Sequence, residues 1–233
     1  MKLVVGNFKM NMSYQDILDY LDKLKNKDVI YCPPSIYSKM FIDRGLQVGL
    51  QNIYTKDFGS YTGEISAYQA KSMGITYTII GHSERRIYFN EDDKLINEKV
   101  INAKDYLKII LCVGETKEER QNKETLEIIK KQLLADLSNV QNLNNIIIAY
   151  EPKWAIGAKQ TPSNLEIAKV VNYIKSFIKE KYKTDIKVLY GGSVNASDIL
   201  RLEEIESIDG YLVGNSSIDY LEFSKIIEVA LKK

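Results

Sequence analysis

The sequence is poor in the residues on which metal and thiol chemistry depend. It holds one histidine and two cysteines, Cys32 and Cys112, too few and too scattered for a four-ligand zinc site. Each cysteine closes an apolar run, so both are expected as buried free thiols rather than as a disulfide. An excess of either charge is also missing. Thirty-two Lys and Arg stand against thirty-one Asp and Glu, a formal net charge of +1, without the basic excess that nucleic acid or an anionic membrane surface selects. No run approaches the roughly 20 apolar residues of a membrane helix. The opening MKLVVGNFKMN has too short an apolar stretch, and no small-residue cleavage site, for a signal peptide. Neither G-x-x-x-x-G-K-S/T nor a strand followed by G-x-G-x-x-G is present, which removes the common nucleotide-binding readings. These absences lead to the expectation of a reduced, cytoplasmic, globular protein with no metal, no nucleic-acid partner and no membrane contact.

What is present is an alternation of short β-branched apolar runs with longer amphipathic ones. Candidate strands cover residues 3–8, 29–32, 47–51, 77–81, 108–113, 146–150, 187–192 and 210–214. Their apolar residues follow one another instead of alternating with polar ones, as in parallel strands buried on both faces. Helical periodicity predicts helices over 14–24, 117–137, 164–182 and 224–231. The first carries Ile17, Leu18, Leu21 and Leu24 on one face, with Ser13 as its N-cap. The charged run at 117–120 reads as the solvated start of a helix, not as a binding patch. Eight strand–helix units in 233 residues fit either an open doubly wound sheet or a closed (β/α)8 barrel, whose usual length is about 250 residues. Eight strands with a helix for each favour the barrel. No linker-like tract divides the chain, so residues 1–233 read as one α/β domain.

In such a barrel the carboxyl ends of the strands converge on one rim. That rim would collect Asn7 and Lys9 after the first strand and His82, Ser83 and Glu84 after the fourth. Glu151 ends the sixth strand; Tyr190, Gly191, Gly192 and Ser193 follow the seventh, and Gly214 and Asn215 the eighth. Taken singly, each has an ordinary structural reading: a core histidine, a solvated lysine, a glycine turn, a loop glutamate before proline. Together they supply what proton transfer beside a carbonyl needs. A carboxylate, Glu151, can take a proton from carbon while the imidazole of His82 and the ammonium of Lys9 steady the charge that develops on oxygen. The glycines after the seventh and eighth strands let backbone N–H groups approach a phosphate.

These residues, with their neighbours, resemble the triosephosphate isomerase family nearly end to end. The likeness rests on VVGNFKMN, IIGHSERR, AYEPKWAIG, YGGSV and GYLVGN, with YCPPSIY, LQNIY, GSYTGEIS and LCVGETKEER in the family's order. It implies a (β/α)8 TIM barrel and a cofactor- and metal-independent aldose–ketose isomerase of glycolysis and gluconeogenesis. Its reaction would interconvert dihydroxyacetone phosphate and D-glyceraldehyde 3-phosphate through an enediolate. Glu151 would carry the proton between the two carbons and His82 would act as a neutral electrophile, a pairing of which this family is itself the standard example. Asn7 and Lys9 would bind the substrate and stabilise the enediolate, with Glu84 holding Lys9 and Ser83 giving the resting Glu151 a hydrogen-bond partner. The phosphate would lie on backbone N–H groups of Gly157, Ser193, Gly214 and Asn215. Residues 152–162, with Trp154 in a stiff first hinge, would form a lid of the kind this family exemplifies, shielding the enediolate phosphate from elimination. The resemblance also implies a homodimer, in which Thr62 of the loop 58–66 reaches toward Asn7 and Lys9 of a second copy.

The sequence departs from the family's pattern in several places. It is shorter than usual, which points to a trimmed helix or loop away from the rim. Gly214-Asn215 stands where two glycines are usual, and asparagine enters left-handed geometry less easily than glycine. Lys153 replaces an apolar residue and is expected to solvate the first hinge. Pro162 occupies the position whose backbone N–H the family's counterpart of Tyr190 bonds, and proline has no N–H. Tyr190 is therefore expected to make a different contact or to contribute less to the lid. Two other readings predict different residues. A Schiff-base aldolase barrel would need a lysine within a strand, whereas Lys9 lies at a strand end. A phosphate-binding descendant without activity would have lost one of Glu151, His82 and Lys9, and all three are present.

Overall fold

A computed structural model describes residues 2–156 and 161–232. Eight parallel strands close into a barrel in simple sequence order: β1 (Leu3–Asn7), β2 (Val29–Cys32), β3 (Gln47–Leu50), β4 (Tyr77–Ile80), β5 (Lys108–Val113), β6 (Ile146–Tyr150), β7 (Lys187–Tyr190) and β8 (Gly210–Val213). β8 returns to β1 with Leu3 opposite Gly210 and Gly6 opposite Val213. Every strand is shorter than or equal to its sequence expectation. Phe8, Gln51, Gly81, Gly191, Gly192 and Gly214 fall outside the strands, where the chain turns away from the sheet.

Successive side chains of a strand face opposite sides, and the core divides accordingly. Val5, Ile30, Ile79, Ile110, Ala149 and Leu212 belong to the cluster inside the barrel. Val4, Ile80, Ile109, Leu111, Ile148 and Val213 belong to the larger cluster between barrel and helices. Full burial of each such aliphatic side chain contributes roughly 1.5–3 kcal/mol, which is why the strands carry unbroken apolar runs. The same alternation aims the site. In β6 the inward series Ile147, Ala149 continues to Glu151, and in β1 Val5 continues to Asn7.

The helices, in chain order, are α1 (Tyr14–Lys23), α2 (Ser38–Ile42), α3 (Ala67–Ser72), α4 (Ser83–Tyr88), α5 (Asp93–Ala103), α6 (Lys117–Gln121), α7 (Thr125–Asp136), α8 (Asn164–Tyr182), α9 (Ile199–Glu203) and α10 (Tyr220–Leu231). Ser13 caps α1 through a full capping box with Asp16. The helix expected over 117–137 is two helices. Lys123 turns left-handed at φ 64°, its N–H bonds the Arg120 carbonyl at 2.9 Å, and the Glu124 N–H bonds the Glu119 carbonyl at 2.9 Å. This pair of bonds is a Schellman ending with lysine where glycine is usual. The last helix starts four residues before the expected Ser224, because Asp219 accepts from the N–H groups of Leu221 and Glu222.

Candidate active site

The carboxyl ends of the strands enclose a cavity of about 180 Å³, small beside the ~300–1,000 Å³ of sites that take drug-sized ligands. Asn7, Lys9, His82, Glu151, Ser193, Gly214 and Asn215 line it together. Ser83, Glu84, Trp154 and Tyr190 do not line the cavity but stand behind residues that do. Gly157 lies outside the described residues, and with it residues 157–160 of the expected lid. Among the described residues, no group of three or more His, Cys, Asp or Glu side chains is arranged to hold a metal ion.

Glu151 is 2% exposed, so its carboxylate depends on protein donors in place of water. Oε2 accepts the Ser83 N–H at 3.0 Å, and Oε1 lies 3.2 Å from His82 Nε2. Its position tolerates no bulk around it. A Cβ on Gly191 would come within 2.8 Å of Glu151 Cγ, and one on Gly114 within 1.8 Å of the Glu151 carbonyl oxygen. Below it, burial and then the Glu151 charge push the Cys112 thiol well above its usual range. Burial pushes the Cys32 thiol up to about 12. Both cysteines are buried and unbridged.

His82 owes its orientation to Gly81, whose left-handed φ of 73° breaks the strand's alternation and turns the chain into α4. There His82 is the N-cap, and its Nδ1 accepts the Glu84 N–H at 3.2 Å. A nitrogen that accepts carries no proton. The proton of the imidazole therefore sits on Nε2, which faces the cavity and Glu151. The neutral tautomer with a donor at Nε2 follows from one backbone N–H.

Lys9 takes the left-handed region at φ 53°, a conformation that costs a non-glycine residue roughly 1–3 kcal/mol and persists only when neighbours enforce it. Three contacts do so here. The Lys9 N–H donates to Asn7 Oδ1 at 3.1 Å, and Gln51 Nε2 donates to the Lys9 carbonyl at 2.8 Å. The ammonium passes over Gly214, where a Cβ would lie 3.3 Å from Lys9 Cε, to reach Glu84 Oε1 at 2.6 Å. Gln51 carries no catalytic signature in its residue type, although it follows β3 directly and the convergence of strand ends on one rim points to it.

Behind Glu151, Glu115 Oε1 accepts from Trp154 Nε1 at 2.9 Å and from the Tyr150 hydroxyl at 3.2 Å. Lys153 does not solvate the first hinge. It is half-buried, its N–H donates to the Glu115 carbonyl at 3.0 Å, and burial, with Arg86 nearby, lowers its ammonium. Tyr190 is fully buried, and its hydroxyl has no hydrogen-bond partner among the described residues. Thr62 is exposed at the tip of a turn closed by the Glu64 N–H on the Tyr61 carbonyl at 3.1 Å, with Gly63 at φ 92°. It lies apart from the cavity within its own chain.

The family model described as triosephosphate isomerase matches residues 2–230. The chain belongs to the triosephosphate isomerase family. It is 42% identical to the triosephosphate isomerase of Alkaliphilus oremlandii, over 97% of this chain and 98% of that protein. The triosephosphate isomerase of Saccharomyces cerevisiae is 38% identical, over 92% of this chain and 93% of its own length. That of Thermodesulfovibrio yellowstonii is 37% identical, over 97% and 98%. Triosephosphate isomerase chemistry also suits the donor set, which pairs one carboxylate with one imidazole N–H and one ammonium around a cavity whose lining also includes Gly191, Gly192, Ser193, Gly214 and Ser216.

Proposed function

We propose that the protein interconverts dihydroxyacetone phosphate and D-glyceraldehyde 3-phosphate, without a cofactor, by moving one proton between adjacent carbons. Glu151 takes the proton from carbon, and the electron pair of the broken C–H bond forms the enediolate while negative charge gathers on the former carbonyl oxygen. His82 Nε2–H, Lys9 Nζ and the Asn7 amide bind that oxygen and its neighbour. The hydroxyl proton passes to the oxygen that carries the charge, relayed by His82 Nε2, and Glu151 returns the carbon-derived proton to the other carbon, which completes the isomerisation with no net gain or loss of atoms. The phosphate rests against Ser193, Gly214 and Asn215, and the segment 152–162 covers it. Glycolysis and gluconeogenesis in the cytoplasm are the setting this reaction implies; no described helix is long and apolar enough to cross a membrane.

The observation that carries the reading is a buried carboxylate 3.2 Å from the Nε2 of a neutral imidazole, both lining the cavity. The test is a coupled assay on D-glyceraldehyde 3-phosphate with the wild type and Glu151→Gln. General-base catalysis contributes typically ~10²–10⁴-fold, so a loss in that range is expected. Full turnover by Glu151→Gln removes the assignment.

A homodimer belongs to the same proposal. Met10, Ile36, Phe58, Tyr61, Tyr88 and Phe89 are exposed, and they sit on the connections after β1, β2, β3 and β4, which are adjacent in the closed barrel. Exposed apolar residues gathered on neighbouring connections suit an interface. The loop bearing Thr62 is stiffened by the rings of Tyr54 and Tyr61 at 4.6 Å, which suits insertion into a second copy. Thr62→Arg is expected to halve the mass measured by sedimentation; an unchanged mass overturns this contact.

A further inference from the structure

One guanidinium joins the two described ends of the β6–α8 connection. On the β6 side, Arg120 lies over the indole of Trp154, 4.0 Å from its ring centroid. On the α8 side, it pairs with Glu166. Glu166 is not a free surface carboxylate. It forms the capping box of α8, accepting from the Ser163 N–H and hydroxyl at 2.8 Å each. Contact with Arg120 is therefore contact with the residue where the connection enters α8. The Trp154 edge, in turn, is fixed by Glu115, whose chain holds the backbone of Lys153 and whose carboxylate holds Tyr150. Arg120 sits in the last turn of α6, and the left-handed Lys123 that ends this helix early sets where its side chain starts.

We infer that Arg120 is a positioning residue that ties Trp154 to the α8 cap and thereby holds both ends of the segment that follows Glu151. It touches no substrate. A stack on a partly exposed indole and a partly exposed ion pair are each weak, so the tie is soft. The kinetic consequence rests on the isomerase reading above; the structural tie does not.

Trp154 is the only tryptophan in the chain, so its fluorescence reports the stack directly. Arg120→Ala is expected to lower kcat roughly tenfold, the combined scale of one cation–π contact and one partly exposed pair, with KM within about twofold, and to move Trp154 emission to longer wavelength. Arg120→Lys keeps the charge but loses the planar stack and fork, and is expected to recover only part of the rate. Glu166→Gln preserves an acceptor for the cap while removing the charge, at a loss of roughly threefold that shrinks in high salt. Because both act through one contact, the double variant Arg120→Ala/Glu166→Gln is expected to be no slower than Arg120→Ala alone. Unchanged kcat and emission in Arg120→Ala, or losses that multiply in the double variant, overturn the inference. If the wild type fails to isomerise the triose phosphate, the functional reading falls instead, and the emission shift still decides whether Arg120 holds Trp154.

Discussion

The two sides of the site are held by different kinds of contact. Around β1 and β4 much of the holding is done through main-chain atoms: the Ser83 N–H on Glu151, the Glu84 N–H on His82, and the Lys9 carbonyl under Gln51, while the Lys9 ammonium rests on Glu84. The connection from β6 to α8 is held by long side chains from neighbouring helices. Arg120 grips Trp154 and Glu166, while Arg201 reaches Thr161 Oγ1 at 3.3 Å and Asn164 Oδ1 at 2.6 Å. Long partly exposed side chains pair weakly and change rotamer easily. On the proposed reading, the side that aligns protons and charge is the rigid one, and the connection from β6 to α8 is the compliant one.

Three substitutions sharpen this contrast. Glu151→Gln should have the largest effect, the loss of ~10²–10⁴-fold expected for a general base. Gly191→Ala comes next. Its Cβ would lie 2.8 Å from Glu151 Cγ, and because a displacement of about 1 Å can cost ~10²-fold, kcat should fall toward that level in steady-state assays. A near-normal kcat would show that the rigid side has slack. Tyr190→Phe should do least. Its hydroxyl is buried and without a partner among the described residues, and Pro162 offers it no N–H, so removing it relieves an unsatisfied group. A kcat within about twofold of wild type is expected, with thermal stability equal or higher. A tenfold loss would mean that the compliant side depends on this hydroxyl after all.

Much of the rigid side was legible in the sequence, because it follows from local pattern. Successive apolar residues mark strands buried on both faces, the period of two aims Asn7 and Glu151 inward, and strand ends in a barrel share one rim. What was not legible depends on contacts between distant parts of the chain. The break at Asn122–Lys123 is invisible to periodicity, since a left-handed lysine leaves no compositional mark, yet it divides one expected helix into α6 and α7. Lys153 reads as a solvated charge from its type alone, and only the folded chain, where its N–H donates to the Glu115 carbonyl, leaves it half-buried. Gln51 could have been found from its place at a strand end; the Arg120–Glu166 pair, 46 residues apart, could not.

The proposed chemistry turns on His82 as a neutral donor toward the cavity, and the chain holds no other histidine. Nitrogen-15 NMR of histidine-labelled protein near neutral pH therefore reads one imidazole without overlap. The geometry predicts a proton on Nε2 alone, with Nδ1 showing the shift of an unprotonated nitrogen that accepts a hydrogen bond, and no change of tautomer when inorganic phosphate is added. A proton on Nδ1, alone or with one on Nε2, would contradict it.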